Sequence, residues 1–318
     1  MLMLRVAKSE MLTERVRRLV LCGIDGQTLP RFGAGAHISP LVQTRNGWEL
    51  RNYSLINGAI QGDHYEIAVL RCPAGGGGSL YLCDQLRVGD IVQSTPPRND
   101  FPLHEAAGEA ILIAGGIGIT PILSMAETLA AKTKSFTIHY SARSPDQMAF
   151  LDRVSAVSAG RAHLYFDGGD PTEGIDLAQA LGNPGSDRHV YVCGPRGMID
   201  ATIAAAQGLN WKPANIHFES FAAPASQDGD RQIEVVARAS NRTLQVPPDK
   251  SILECLIDAG LDPMFDCKRG ECGACITTVV EGVPDHRDYV LDESARAAGA
   301  SMCICVSRAR SQRLVLDI

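Results

Sequence analysis

Along the first hundred residues, short β-prone runs alternate with turn-rich stretches. RRLVLCGI, GWELRNYSLI, HYEIAVLRC and GDIVQS are such runs, and Gly and Pro punctuate the gaps. This pattern predicts a small antiparallel β-barrel. It changes from about Glu105. AILIA, Ala110 to Ala114, reads as a short buried strand. A glycine-rich turn follows, then a helix from Pro121 in which Ile122, Met125, Ala126 and Leu129 share a face. Thr120 is placed to cap that helix and Pro121 to fill its first position. FTIHY, HLYF, HVYVC and IHFES come next, most of them separated by helical segments, and this alternation predicts a parallel α/β sheet. AAPASQDGDR, Ala222 to Arg231, reads as an interdomain linker. Beyond it, QIEVVARA and TLQV lead to a helix, SILECLIDA, then a long Cys-bearing loop and a closing strand, RLVLDI. The expected organisation is a β domain over 1–103, an α/β domain over 104–222, a linker over 223–231 and a small α+β domain over 232–318. No internal repeat is visible.

Composition narrows the function classes. The hydrophobic fraction is 45% and the charged fraction 21%, ordinary values that allow each domain a core. The net charge of −6, with no long Lys/Arg run, argues against nucleic-acid binding. No stretch approaches the ~18 apolar residues of a membrane span. Charges interrupt MLMLRVAKSEMLTERVRRL every few residues, so a cytoplasmic protein is expected. Ten cysteines are many for such a chain, and six of them fall after position 250. In a reducing compartment that clustering points to metal rather than to disulfides.

Cys267, Cys272 and Cys275 spell C-x4-C-x2-C, and Cys305 follows at a distance. The spacing matches that of a plant-type 2Fe–2S cluster. Four thiolates must converge on two irons, and Gly270 and Gly273 let the loop close around the sulfides while backbone N–H groups bond to sulfur. A structural zinc site is the alternative, although zinc usually takes paired C-x2-C knuckles or His partners. A Rieske centre would need two His ligands, and no C-x-H pair exists. Cys303 is expected to face the other side of its strand from Cys305. Cys22, Cys72, Cys83 and Cys255 read as core packing.

Gly115-Gly116-Ile-Gly118-Ile-Thr120-Pro121 joins a strand to a helix, a place where backbone N–H groups and a helix N-terminus can hold a pyrophosphate. No acid ends the next strand to hold a ribose; Ser141 and Arg143 stand there, and Arg143 is suited to a 2′-phosphate. Cys193-Gly194-Pro195 ends a later strand and would emerge at the same carboxyl edge, with burial as the plainer role for Cys193. In the β part, Arg51-Asn52-Tyr53-Ser54-Leu55 offers a cation, a hydroxyl and a flat ring. Gly75 to Gly78 with Ser79 offers a run of N–H donors that suits either an anion nest or a flexible turn.

Together these motifs resemble the phthalate dioxygenase reductase family, which includes vanillate demethylase and carnitine monooxygenase reductases, and the resemblance covers the whole chain in one order. It implies a flavin-binding β-barrel, a ferredoxin-reductase-like parallel α/β nucleotide domain and a C-terminal β-grasp ferredoxin. FMN, NADH and a 2Fe–2S cluster are the implied cofactors. Arg51 and Ser79, the latter in the loop with Gly77 and Gly78, would contact the flavin phosphate. Gly116, Gly118, Thr120, Ser141, Arg143, Cys193, Gly194 and Pro195 would line the nucleotide site. Phe221 would pack near the flavin ring, and Cys305 would be the fourth cluster ligand. Pro284-Asp-His286-Arg-Asp288 also matches the family, as a structural or docking loop without assignable chemistry. The implied partner is a separate terminal oxygenase with a Rieske centre, and a monomer is expected. Flavin must lie between nicotinamide and cluster because it alone exchanges both a hydride and single electrons; no side-chain acid or base is expected to be essential. The rivals are a reductase for a diiron hydroxylase or a cytochrome, a plain flavin reductase, and a zinc-stabilised binding module.

Overall fold

A computed structural model describes residues 1–58, 63–104, 107–221 and 226–318. Glu105, where the pattern shift was placed, and Ala222 to Ala225 of the expected linker lie outside the described residues. The chain forms two compact units, Met1–Glu219 and Ser220–Ile318.

The first unit opens with an antiparallel sheet of β1 (Leu2–Met11), β2 (Val16–Gly23), β3 (His64–Leu70) and β4 (Ile91–Ser94), in the order β3-β2-β1-β4. No β-prone run among those expected covers β1. Its Leu4 and Val6 point inward on either side of the exposed Arg5, and Lys8 is exposed beyond them, so these charges belong to the solvent face of a strand. Two further antiparallel pairs complete the β part: His37–Ile38 with Tyr53–Ser54, and Leu41–Thr44 with Gly47–Leu50. Among the described residues the pairing does not run round a closed ring, yet one core that includes Leu4, Leu19, Ile38, Val42, Tyr65, Ile67 and Val92 fills the interior.

The same unit continues into a parallel sheet of β5 (Glu109–Gly115), β6 (Ser135–Ala142), β7 (Ala162–Phe166), β8 (Arg188–Cys193) and β9 (Ile216–Glu219), in the order β7-β6-β5-β8-β9. The order reverses between β5 and β8, and a sheet of this kind binds ligands outside the carboxyl ends at that point. The helix after β5 spans Ile119–Ala131, with Ile122, Met125, Ala126 and Leu129 buried as expected. Its start differs from the expected one. Gly118 is the cap, Pro121 is the third helical residue, and Thr120 lies within the helix, its hydroxyl donating to the Ile117 carbonyl at 3.0 Å. A tight turn at Gly116–Gly118 starts the coiling earlier than the Thr-Pro signal suggests.

The β part and the α/β part share a core, in which Val16, Ala34, Ile56, Ala68 and Phe101 pack with residues such as Leu112, Ile119 and Tyr140. Ion pairs reinforce the junction: Glu66 accepts from Arg18 at 2.6 Å and from Arg153 at 2.7 Å, and Arg153 also binds Glu127. Burial would raise the Glu66 pKa, but these guanidinium groups outweigh it and bring it down to about 2.

The second unit is a mixed sheet of β10 (Ile233–Ala237), β11 (Arg242–Val246), β12 (Ile276–Glu281), β13 (Ser301–Cys303) and β14 (Arg313–Leu316), ordered β11-β10-β14-β12-β13. Its first strand, β10, runs parallel to its last, β14, and the other pairings are antiparallel. The helix Ile252–Asp258 packs its buried face, Ile252, Leu253, Cys255 and Leu256, into the core. A reciprocal capping box between Ser251 and Glu254 starts it. This is the arrangement implied by a β-grasp. Among the described residues no helix is long and apolar enough to cross a membrane.

Candidate functional site

The cysteine loop runs from the end of the Ile252–Asp258 helix to β12. Main-chain N–H groups point at its sulfurs. Arg269 and Glu271 donate to Cys267 Sγ at 3.3 and 3.5 Å, and Cys267 donates to Cys272 Sγ at 3.5 Å. Cys275 and Cys305 lie 3.1 Å apart, sulfur to sulfur. The four thiols thus sort into two pairs. Cys267 and Cys272 reach the surface, whereas Cys275 and Cys305 are buried. An iron held by two bridging sulfides has two tetrahedral positions left, so two irons ask for two thiolate pairs. The donor set and the inward N–H groups fit a 2Fe–2S cluster.

The fold makes this loop possible at Gly270. Its φ is +80°, and a methyl group there would sit 2.7 Å from Val306 and 3.1 Å from the Asp288 backbone. The Asp288 contact gives Pro284 to Asp288 a role that the sequence did not suggest. Asp288 is buried and accepts from the N–H groups of Val290 and Leu291 at 3.1 and 2.8 Å and from the Ser307 hydroxyl. Tyr289 N–H donates to the Gly270 carbonyl at 2.9 Å. Arg287 binds Asp285 and, with both oxygens engaged, Asp230. The Arg287 hydrogen bonds bring the Asp230 carboxyl down to about 2. The segment is therefore the back wall of the cysteine loop.

Cys303 corrects an expectation. It does not face away from Cys305: both residues are buried beside Cys275. Residues i and i+2 of a strand share a face, and here the chain also turns immediately after Cys303.

In the first unit, the ends of β5 and β8 meet at the switch point. A methyl group on Gly118 would lie 2.1 Å from the Cys193 carbonyl oxygen, and one on Gly194 would lie 3.1 Å from the Gly115 backbone. Gly115, Gly118 and Gly194 thus let two turns touch, which brings Gly116, Gly118 and Thr120 beside Cys193, Gly194 and Pro195. Cys193 is fully buried.

Ser141, near the end of β6, donates to Asp167 at 3.1 Å. Asp167 follows β7 and also accepts from Gly169 N–H at 2.8 Å. The acid absent after β6 is thus supplied one strand further along. The signal was available as an acid followed by two glycines, Asp167-Gly168-Gly169, at a strand end. Arg143 lies beside Gly169.

In the β part, Arg51 lies against Gly76 and Gly78 and pairs with Glu49. Gly78 opens a short helical segment that leaves first-turn N–H donors without intrahelical partners, beside the Arg51 guanidinium. Two singled-out polar groups hold the loops: Asn52 accepts from the Ser39 hydroxyl at 2.8 Å, and the Ser79 hydroxyl accepts from Cys72 N–H at 3.1 Å. Tyr53 packs against the β core, and burial raises its pKa. Ser54 lies 3.5 Å from Glu219, a buried carboxylate at the end of β9 that the sequence reading passed over. Phe221, in the second unit, is 38% exposed.

Comparison with known proteins bears on both units. Residues 235–310 match the 2Fe-2S iron-sulfur cluster binding domain family, and residues 112–203 match the oxidoreductase NAD-binding domain family. The vanillate O-demethylase oxidoreductase of Pseudomonas sp. (strain HR199 / DSM 7063) is 40% identical over 296 residues, 92% of each chain. The phthalate dioxygenase reductase of Burkholderia cepacia is 38% identical over 320 residues, 100% of this chain and 97% of that one. Among solved structures, the chain matches phthalate dioxygenase reductase, described as a modular structure for electron transfer from pyridine nucleotides to [2Fe–2S], with a TM-score of 0.76, 37% identity and coverage of 100% and 98%. It also matches 41% of an intact type IV self-sufficient cytochrome P450 monooxygenase, with a TM-score of 0.70 and 33% identity over the whole of this chain.

Proposed function

We propose, from the premise that the chain belongs to the phthalate dioxygenase reductase family, that it carries electrons from NADH through FMN and a 2Fe–2S cluster to a separate terminal oxygenase with a Rieske centre. One observation carries the reading: the cysteine sulfurs stand in two pairs, one buried and one at the surface, on a loop whose N–H groups face them. Bound flavin would supply the conversion of a hydride into single electrons, which nicotinamide and cluster cannot exchange directly.

The chain's own residues supply placement. Residues 1–103 would hold the flavin, 104–222 the nucleotide and 232–318 the cluster, with 223–231 linking them. Arg51 and the N–H groups opening at Gly78 and Ser79 would hold the flavin phosphate, and Tyr53 and Ser54 would lie along the ring. The touching turns of Gly116–Thr120 and Cys193–Pro195 would cradle the pyrophosphate and nicotinamide. Asp167, anchored by Ser141, would accept a ribose 2′-hydroxyl and repel a 2′-phosphate, which supports NADH over NADPH. Phe221 would cover the flavin. Cys267, Cys272, Cys275 and Cys305 would bind the irons, with the exposed Cys267–Cys272 end as the side of electron exit. A monomer in the cytoplasm completes the reading.

A second reading, with a cytochrome as acceptor, is favoured by the likeness to part of a P450 monooxygenase. Anaerobic purification and a visible spectrum before and after NADH, then NADPH, test the proposal. Flavin bands with a broad iron–sulfur shoulder, FMN in the extract, and bleaching at far lower NADH than NADPH are expected. A colourless protein carrying zinc would overturn it. Reduction of a cytochrome but of no Rieske protein would select the second reading.

A further inference from the structure

Five thiols, not four, gather at the cluster loop. Cys275 Sγ lies 3.1 Å from Cys305 Sγ, and Cys303 is buried two residues before Cys305. Cys303 has no exposed surface, and Cys275 and Cys305 have almost none. The backbone draws the three residues together. β13 pairs Cys303 with Ile276, the residue after Cys275. The chain then turns, because the Cys303 carbonyl accepts N–H groups from both Val306, at 3.2 Å, and Ser307, at 2.9 Å. That turn folds residue 305 back toward 303, and the Cys275 carbonyl accepts from Ile304 N–H between them. A core position in this place requires only a small apolar side chain. It holds instead a soft donor of the kind that binds iron in clusters.

We propose that Cys303 is a reserve ligand to the iron shared by Cys275 and Cys305: when Cys305 is lost, the Cys303 sulfur takes its place and the cluster is retained. The inference rests on the reading of Cys267, Cys272, Cys275 and Cys305 as the resident ligands. The exchange is redox-neutral. The bond from iron to the Cys305 sulfur breaks and that thiolate gains a proton; the Cys303 thiol loses a proton and forms the new bond. No electron changes hands. The requirement is short reach, and the turn that folds residue 305 back toward 303 beside Cys275 provides it.

The test uses the full-length protein, purified anaerobically as Cys305→Ala, Cys303→Ala and the double variant. Iron and acid-labile sulfide per chain and the electron paramagnetic resonance spectrum after dithionite are measured, with flavin content and circular dichroism recording folding. Cys305→Ala is expected to keep about half or more of the iron, with shifted g values, and the double variant about a tenth or less. Cys303→Ala is expected to keep the parent spectrum. Equal loss of cluster from Cys305→Ala and the double variant, in folded protein, would overturn the reserve role and leave the resident assignment standing. Loss from Cys303→Ala, with the parent spectrum kept in Cys305→Ala, would overturn the resident assignment as well. Should Cys305→Ala fail to fold, Cys305→Ser with and without Cys303→Ala reads the same comparison.

Discussion

At the scale of single residues, close approach decides more than side-chain chemistry does. The glycines after β5 can be read as making room for a pyrophosphate, but Gly118 also has to make room for the Cys193 carbonyl. Gly118→Ala is therefore expected to separate the β5 and β8 turns, to cost about 1–3 kcal/mol of stability and to weaken NADH about tenfold or more. Denaturant unfolding and NADH titration of flavin absorbance measure the two effects. Asp167 makes a separate prediction. Asp167→Asn removes the charge that would repel a 2′-phosphate, so the ratio of kcat/KM for NADPH to that for NADH should rise about tenfold, an energy of ~1.4 kcal/mol. An unchanged ratio would remove Asp167 from the nucleotide site. Gly118 and the Cys267, Cys272, Cys275 triplet were legible as candidate chemistry because their types and spacing are local. Asp167 was marked only by an acid before two glycines at a strand end, and its pairing with Ser141, on the neighbouring strand and 26 residues earlier, left no local trace.

At the scale of elements, histidines on adjacent strands set the response to acid. His189 on β8 and His217 on β9 stack with an interplanar angle of 3°, their facing ring nitrogens 2.8 Å apart, and His104 stacks on both. One N–H serves that short contact, which suits neutral rings. Burial lowers His217 to about 4, with help from His104 and His189, and lowers His139 on β6 to about 4, with help from His163. Their ordinary value is 6.5, so between pH 6.5 and 4 the unfolded chain binds more protons and stability falls as pH falls. A loss on the order of 2 kcal/mol is expected in the first unit across that window. It should appear as a lower denaturation midpoint at pH 5 than at pH 7, and His217→Gln should flatten the difference. Asp230 in the second unit works in another range. Its carboxyl is held near 2, so the stability it contributes is present above its ordinary 3.8 and fades only as pH falls from there toward 2. Strand and helix positions were readable from periodicity, with β1 as the exception because its outward charges obscured the alternation. The histidine stacks were not readable, since they depend on register between strands.

At the scale of the whole molecule, the division at Glu219–Ser220 separates chemistry as well as packing. Each unit has its own core, and the β and α/β parts of the first share one. A fragment of residues 1–221 is therefore expected to fold, to bind flavin and to be bleached by NADH, while delivering no electrons to a protein acceptor. Cys272→Ala in the full chain should behave the same way. Failure of the fragment to retain flavin would place essential flavin contacts in the second unit. By itself the sequence determined the order of the parts, most of the strands and helices, and the cysteine spacing that matches a cluster-binding domain, because these follow from periodicity and from donors held close together along the chain. Only the tertiary structure decided that Asp167 faces Ser141, that Glu219 reaches Ser54, that Asp288 backs the cysteine loop and that Cys303 joins Cys275. Each of these depends on strand register or on a turn that brings distant residues within a few ångströms, and no local pattern of residue types encodes that distance.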